Sequence, residues 1–190
     1  MPNCKRFFIL SLCSLLLLCT FAAPAEAYNL LGQQYYDTTA TYSWMSGTPI
    51  IMKTAWETAA EDWADTGLVE LNYSSSSSSK LGSYNHTGIP EYGSMMVSPY
   101  GQVIEEYGHI GPIHSQENYP DYSIFEGRLN VQLCGHTTVA RSVANHELGH
   151  LWGLNHVEDG ERSIMDTGRD RLSLYLPQRD DENGVEEVYY

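Results

Sequence analysis

Apolar residues at Ile51, Ala55, Trp56, Ala59, Ala60 and Trp63 recur at the spacing of one helical face. Thr48-Pro49 predicts the start of that helix, with Thr48 as N-cap and Pro49 at the first helical position. Asp65-Thr66-Gly67 predicts its end. Before it, Thr39 to Trp44 alternates polar and larger residues and reads as a strand. After it, Leu68 to Tyr73 sends Leu68, Glu70 and Asn72 to one face and Val69, Leu71 and Tyr73 to the other. Strand, helix and strand in this order predict a crossover unit in a partly parallel sheet. The serine run from Ser74 to Ser79 has nothing apolar to bury and is expected to be a mobile loop. Residues 81–127 are rich in Gly, Pro, Tyr and Asn, with short strands expected only at Ser94–Ser98 and Gln102–Tyr107. Arg128 to Leu133 reads as a further strand. It leads through Gly135 into a helix expected over Thr138 to Trp152, capped by Thr137 or Thr138 and ended by Gly153.

The first residues follow another pattern. Lys5 and Arg6 precede an almost unbroken apolar run from Phe7 to Phe21, and Ala22-Ala23-Pro24-Ala25-Glu26-Ala27 follows. This is the arrangement of a cleavable secretory signal over residues 1–27, with cleavage expected after Ala27. The run is shorter than the roughly 17–25 apolar residues of a spanning helix, and no later segment is long and apolar enough to cross a bilayer. Residues 28–190 are then expected to form a single secreted domain. Cys4, Cys13 and Cys19 leave with the signal, so Cys134 has no partner for an internal disulfide. It ends an apolar stretch and reads as a buried small hydrophobe, since nothing nearby is built to activate a thiol.

Charge narrows the partners. With 24 acidic and 10 basic side chains the formal charge is −14. Nucleic acid and anionic membranes are poor partners for such a surface. Calcium (Ca2+) is compatible with it in an exported protein, although solubility accounts for most of these charges. His86, His109 and His114 match no metal template and read as surface histidines. A monomer is expected.

The chemistry concentrates in His146-Glu147-Leu148-Gly149-His150. Histidines four apart lie on one helical face, one turn from each other, and can reach a single zinc ion (Zn2+). Glu147 sits beside the first of them, within reach of a metal-bound water. Gly153 tolerates the sharp turn that would bring His156 back as third ligand. Three neutral imidazoles leave a fourth position for water, as a catalytic zinc needs. His, Glu, His, Gly and His at these fixed positions should arise by chance about once in ten thousand chains of this length.

Val143 to His156 resembles the long zinc-binding signature of the metzincins, and most closely the matrixin branch. Ser163-Ile164-Met165-Asp166 stands where that family has its Met-turn, which implies that Met165 forms an apolar floor beneath the ligands. Asp180 to Tyr189 is similar to the family's C-terminal helix, and Trp44 to Tyr73 to its first helix and flanking strands. Asp166 departs from the aromatic residue usual after the Met-turn methionine, and no Pro-Arg-Cys-Gly switch motif is present. The resemblance implies a metzincin-like α/β (α+β) catalytic domain. Its sheet is mixed, partly parallel and twisted, with an active-site helix, a second long helix and a short C-terminal helix. The implied activity is a zinc metalloendopeptidase acting on protein or peptide substrates, with His146, His150 and His156 on zinc and Glu147 as general base. Two rivals stand beside it: a non-catalytic zinc-bound exported interaction module, for which Glu147 would be superfluous, and a narrow-specificity processing peptidase.

Overall fold

A computed structural model describes residues 28–88, 90–98, 121–158, 160 and 162–190. The signal segment, the strand expected at Gln102–Tyr107, His109 and His114 lie outside the described residues. Along the chain run β1 (Asn29–Leu30), β2 (Thr39–Trp44), α1 (Ile50–Ala64), β3 (Glu70–Tyr73), β4 (Lys80–Tyr84) and β5 (Gly93–Ser98). Then come β6 (Ile124–Asn130), α2 (Thr137–Leu151), β7 (Leu154–Asn155) and α3 (Arg179–Tyr189).

The five-stranded sheet has the order β3-β2-β4-β6-β5. Its pairs are parallel except the last, where β5 runs antiparallel to β6 at the edge. The β2–α1–β3 segment is the expected crossover, with Thr39 opposite Glu70. Both long helices pack into one core with the sheet. Trp56, Trp63, Phe125, Leu129, Leu148 and Trp152 are fully buried there, and burying an aromatic or leucine side chain contributes about 1.5–3 kcal/mol. The two α1 indoles meet their polar ends, Trp56 Nε1 donating to Gly82 O at 2.9 Å and Trp63 Nε1 to Asn145 O at 3.1 Å, while Trp152 Nε1 is buried without a hydrogen-bond partner among the described residues. No helix among the described residues is long and apolar enough to span a membrane.

Several boundaries differ from expectation. The first helix begins at Ile50 with Pro49 as its cap, because the Thr48 hydroxyl turns back to donate to Met45 O. The second is capped by His136, whose Nδ1 accepts from Thr138 N at 3.2 Å, rather than by a threonine. Strand β3 starts two residues late, after Gly67 (φ +75°) completes the turn out of α1. Strand β6 covers Ile124–Asn130, not 128–133, because the Asn130 side chain turns the chain there. Its Nδ2 donates to His86 O and Glu91 O, and its Oδ1 accepts from Gln132 N. The serine run is a loop but it is tied down. Ser77 Oγ donates to Thr41 O at 2.8 Å, and Ser79 is buried, its Oγ accepting from Phe125 N.

Candidate metal centre

Helix α2 carries His146, Glu147 and His150 on its last turns. The helix is held against α1 by Asp62, which accepts from Arg141 Nε at 2.8 Å and from Asn145 Nδ2 at 2.6 Å. Its last carbonyls, which have no partner within the helix, are met by Tyr122, whose hydroxyl lies 2.8 Å from His150 O and 2.7 Å from Leu151 O. Gly153 then reverses the chain at φ +94°. A side chain there would press on Gln34 Cβ at 3.1 Å and Gln33 O at 3.3 Å, besides the strain of that backbone. The next two residues form β7 against the N-terminal β1. Asn29 Nδ2 donates to His156 O at 2.8 Å, fixing the backbone of the last histidine.

The three imidazoles converge. His156 Nε2 lies 3.2 Å from His146 Nε2 and 3.1 Å from His150 Nε2. The outer nitrogens decide the tautomers. His146 Nδ1 faces Ile164 O at 2.8 Å and His150 Nδ1 faces Leu154 O at 2.8 Å. A carbonyl only accepts, so both Nδ1 atoms carry the proton and both Nε2 atoms present lone pairs inward. Arg169 Nη1 also stands 3.3 Å from His146 Nδ1. With that proton in place it is a contact of two donors, and the shorter bond to Ile164 governs.

Lone pairs at this separation repel unless a cation lies between them. Zn–N bonds of ~2.0–2.1 Å in a tetrahedron place ligand nitrogens about 3.3–3.4 Å apart, close to the distances found. The donor set therefore fits zinc. Among the described residues these histidines are the cluster able to hold a metal. Burial and Arg169 lower all three pKa values, with the neighbouring imidazoles adding to this at His146 and His150 and taking His150 to about 4, so each is a neutral ligand at physiological pH.

Met165 is buried directly beneath α2, and a Cβ at Gly149 would collide with its sulfur. The turn carrying it is tied to α3. Asp181 accepts from Ser163 Oγ at 2.5 Å, from Ile164 N at 2.9 Å and from Gln178 N at 2.7 Å. Asp166 does not reach the cleft. Its carboxylate accepts from Gly168 N at 2.7 Å and Gly160 N at 3.1 Å and shapes the turn instead.

Beside the histidines opens a cavity of about 450 Å³. Glu147 and Val143 of α2, Tyr92 to Met95 leading into and along β5, and Thr167, Arg169 and Arg171 line it. Burial raises the Glu147 carboxyl to about 8, against the opposing pull of Arg169 and Arg171. Gly93 permits the close approach, since a Cβ there would stand 2.7 Å from Val143 Cγ1 and 2.8 Å from Glu147 Oε1. The sequence placed His146, Glu147, His150, His156 and Met165 here, and the structure brings them together. It missed the two arginines and the N-terminal residues Leu31 and Gln33, which also line the cavity. No short-range spacing marks them. Cys134 is buried, as expected, and His86 is exposed.

No curated protein matches the chain. Residues 53–190 match the model of the matrixin family.

Proposed function

The chain belongs to the matrixin family, and on that footing we propose that it is a secreted zinc metalloendopeptidase in which Glu147 is the general base. The carrying observation is the convergence of three neutral imidazole nitrogens beside a buried carboxyl at the edge of a cavity. His146, His150 and His156 would hold the metal. Bound there, zinc supplies Lewis acidity that activates a water and polarises the scissile carbonyl.

The protein's own groups do the rest. Ile164 O and Leu154 O hold the protons on His146 and His150 and so keep the ligand nitrogens free. Asn29 and the β1–β7 pair hold His156 in line. Glu147 takes a proton from the attacking water and hands it to the departing amine. Burial raises its affinity for that proton, and a dication at the three histidines would oppose the shift and keep the carboxyl ionised to act as base. Among the described residues β5 is the edge strand, where an extended peptide could add alongside. Export follows from the signal-like residues 1–27, with the working protein starting at Tyr28 and requiring no further trimming. The acidic surface is compatible with calcium.

Cleavage of a diverse peptide library by the protein starting at Tyr28 tests this reading. Cleavage is expected to stop with a zinc chelator and to return on adding zinc. A zinc-loaded protein that cleaves nothing would replace the peptidase with an exported zinc-bound interaction module.

A further inference from the structure

We propose that the cavity beside the histidine cluster is an anion-reading subsite, with Arg171 as its specificity-determining residue, so that cleavage falls next to an acidic substrate side chain. The proposal rests on the peptidase reading above. It concerns which residue the cleft selects.

Two arginines face this cavity in a chain whose formal charge is −14. They are not equivalent. Arg169 is 7% exposed and its donors turn inward, Nε to Ser142 Oγ at 3.2 Å, Nη1 to Asp166 O at 2.8 Å and Nη2 to Ser142 O at 3.0 Å. It lends positive charge but braces the turn. Arg171 lies over the Tyr92 ring at 4.2 Å, which fixes the plane of its guanidinium. Its Nη2 donates to Thr167 O at 3.1 Å and its Nη1, at 3.4 Å, to Arg169 O. Its Nε is shielded from solvent and has no hydrogen-bond partner.

A guanidinium has five N–H donors in one plane, and only two of those of Arg171 are engaged. A carboxylate meeting the free edge could take two N–H groups together, the strongest geometry open to this side chain. A glutamate is the best fit. Its methylenes would lie along Val143 and Tyr92 while its carboxylate reaches Arg171. A leucine in the same place would leave the buried donor desolvated and unpaired, and a lysine would meet like charge. Glu91 and Glu147 also line the cavity and oppose an incoming anion. Both guanidiniums, joined by a dication among the histidines, outweigh them. The acidic surface elsewhere repels such a peptide only weakly, since charges are screened within ~8 Å at physiological salt.

The test uses blocked octapeptides of alanine and glycine carrying Glu, Leu or Lys at one position near the centre, with products read by mass spectrometry. The zinc-loaded parent is expected to cleave the Glu series beside Glu with kcat/KM about tenfold or more above the Leu series. Arg171→Glu should reverse the order of Glu and Lys, and Arg171→Met should erase the gap between Glu and Leu. Melting curves check that each variant folds, and Arg171→Met serves if Arg171→Glu does not. A parent that prefers Leu over Glu, or variants with an unchanged Glu-to-Leu ratio, would overturn the subsite and leave the peptidase standing. If the parent cleaves none of the peptides, the peptidase reading fails instead. Kd values for the same peptides on zinc-loaded Glu147→Gln then decide the subsite: about tenfold tighter binding of Glu peptides supports it, and equal or weaker binding overturns it.

Discussion

Gly149 shows how one missing methyl sets the site. It sits in the last turn of α2 between the two histidines of that helix, where glycine costs up to about 1 kcal/mol relative to alanine. Alanine would ordinarily stabilise such a position. Here its Cβ would strike the Met165 sulfur, and overpacking a buried site costs roughly 1–3 kcal/mol. The second effect wins, so Gly149→Ala is expected to lower stability by about 1–2 kcal/mol in urea titration despite the better helix former. A gain in stability would show that Met165 can move aside. The same scale separates what the sequence disclosed from what it did not. Two ligands on one helix must recur at the spacing of one face, so His146 and His150 could be read directly, and His156 followed from the turn that Gly153 permits. Nothing fixes the spacing of Arg169 and Arg171, which enter the cavity through the path of the turn after Met165.

Whole elements support that turn. Asp181 closes the first turn of α3, as Gln178 N and the Asp181 side chain complete a capping box. The same carboxylate holds Ser163 and Ile164, and Ile164 O in turn holds His146. The C-terminal helix therefore reaches the metal centre through a chain of hydrogen bonds. Asp181→Ala would strand several buried donors, at roughly 1–3 kcal/mol each. We expect a loss of about 2–4 kcal/mol in urea titration and weaker zinc retention against a chelator. A variant with parental zinc retention would confine Asp181 to capping the helix. Helices α1 and α2 were legible because their signals are local and periodic, whereas α3 was expected only from the family resemblance of Asp180 to Tyr189. Strands β1 and β7 were not legible, since each has two residues and exists through the pairing of distant segments. The serine run misled for a related reason: Ser77 and Ser79 are ordered by partners in β2 and at β6, which composition does not reveal.

For the molecule as a whole, pH acts through the buried site. The three histidines have folded pKa values below their usual 6.5. At lower pH the unfolded chain takes up protons that the native site refuses, so their contribution to stability is present above about 6.5 and is lost as pH falls toward 4. Glu147 works in the other direction. Its folded value of about 8 favours the native state below the unfolded 4.5, and that contribution is lost as pH rises through 8. Three groups against one decide the acid side. The urea midpoint of chelated protein should fall between pH 6.5 and 4, and zinc should leave over the same range, because protons and metal compete for the same nitrogens. A flat midpoint with zinc retained at pH 4 would contradict this ligand set. The central claim, that Glu147 is the base of a zinc peptidase, is tested most directly by Glu147→Gln with zinc content, Tm and peptide cleavage measured on one preparation. The expected result is one zinc bound per chain, a native melt, and hydrolysis reduced by ~10²–10⁴-fold or more. Cleavage by Glu147→Gln at the parental rate would contradict it.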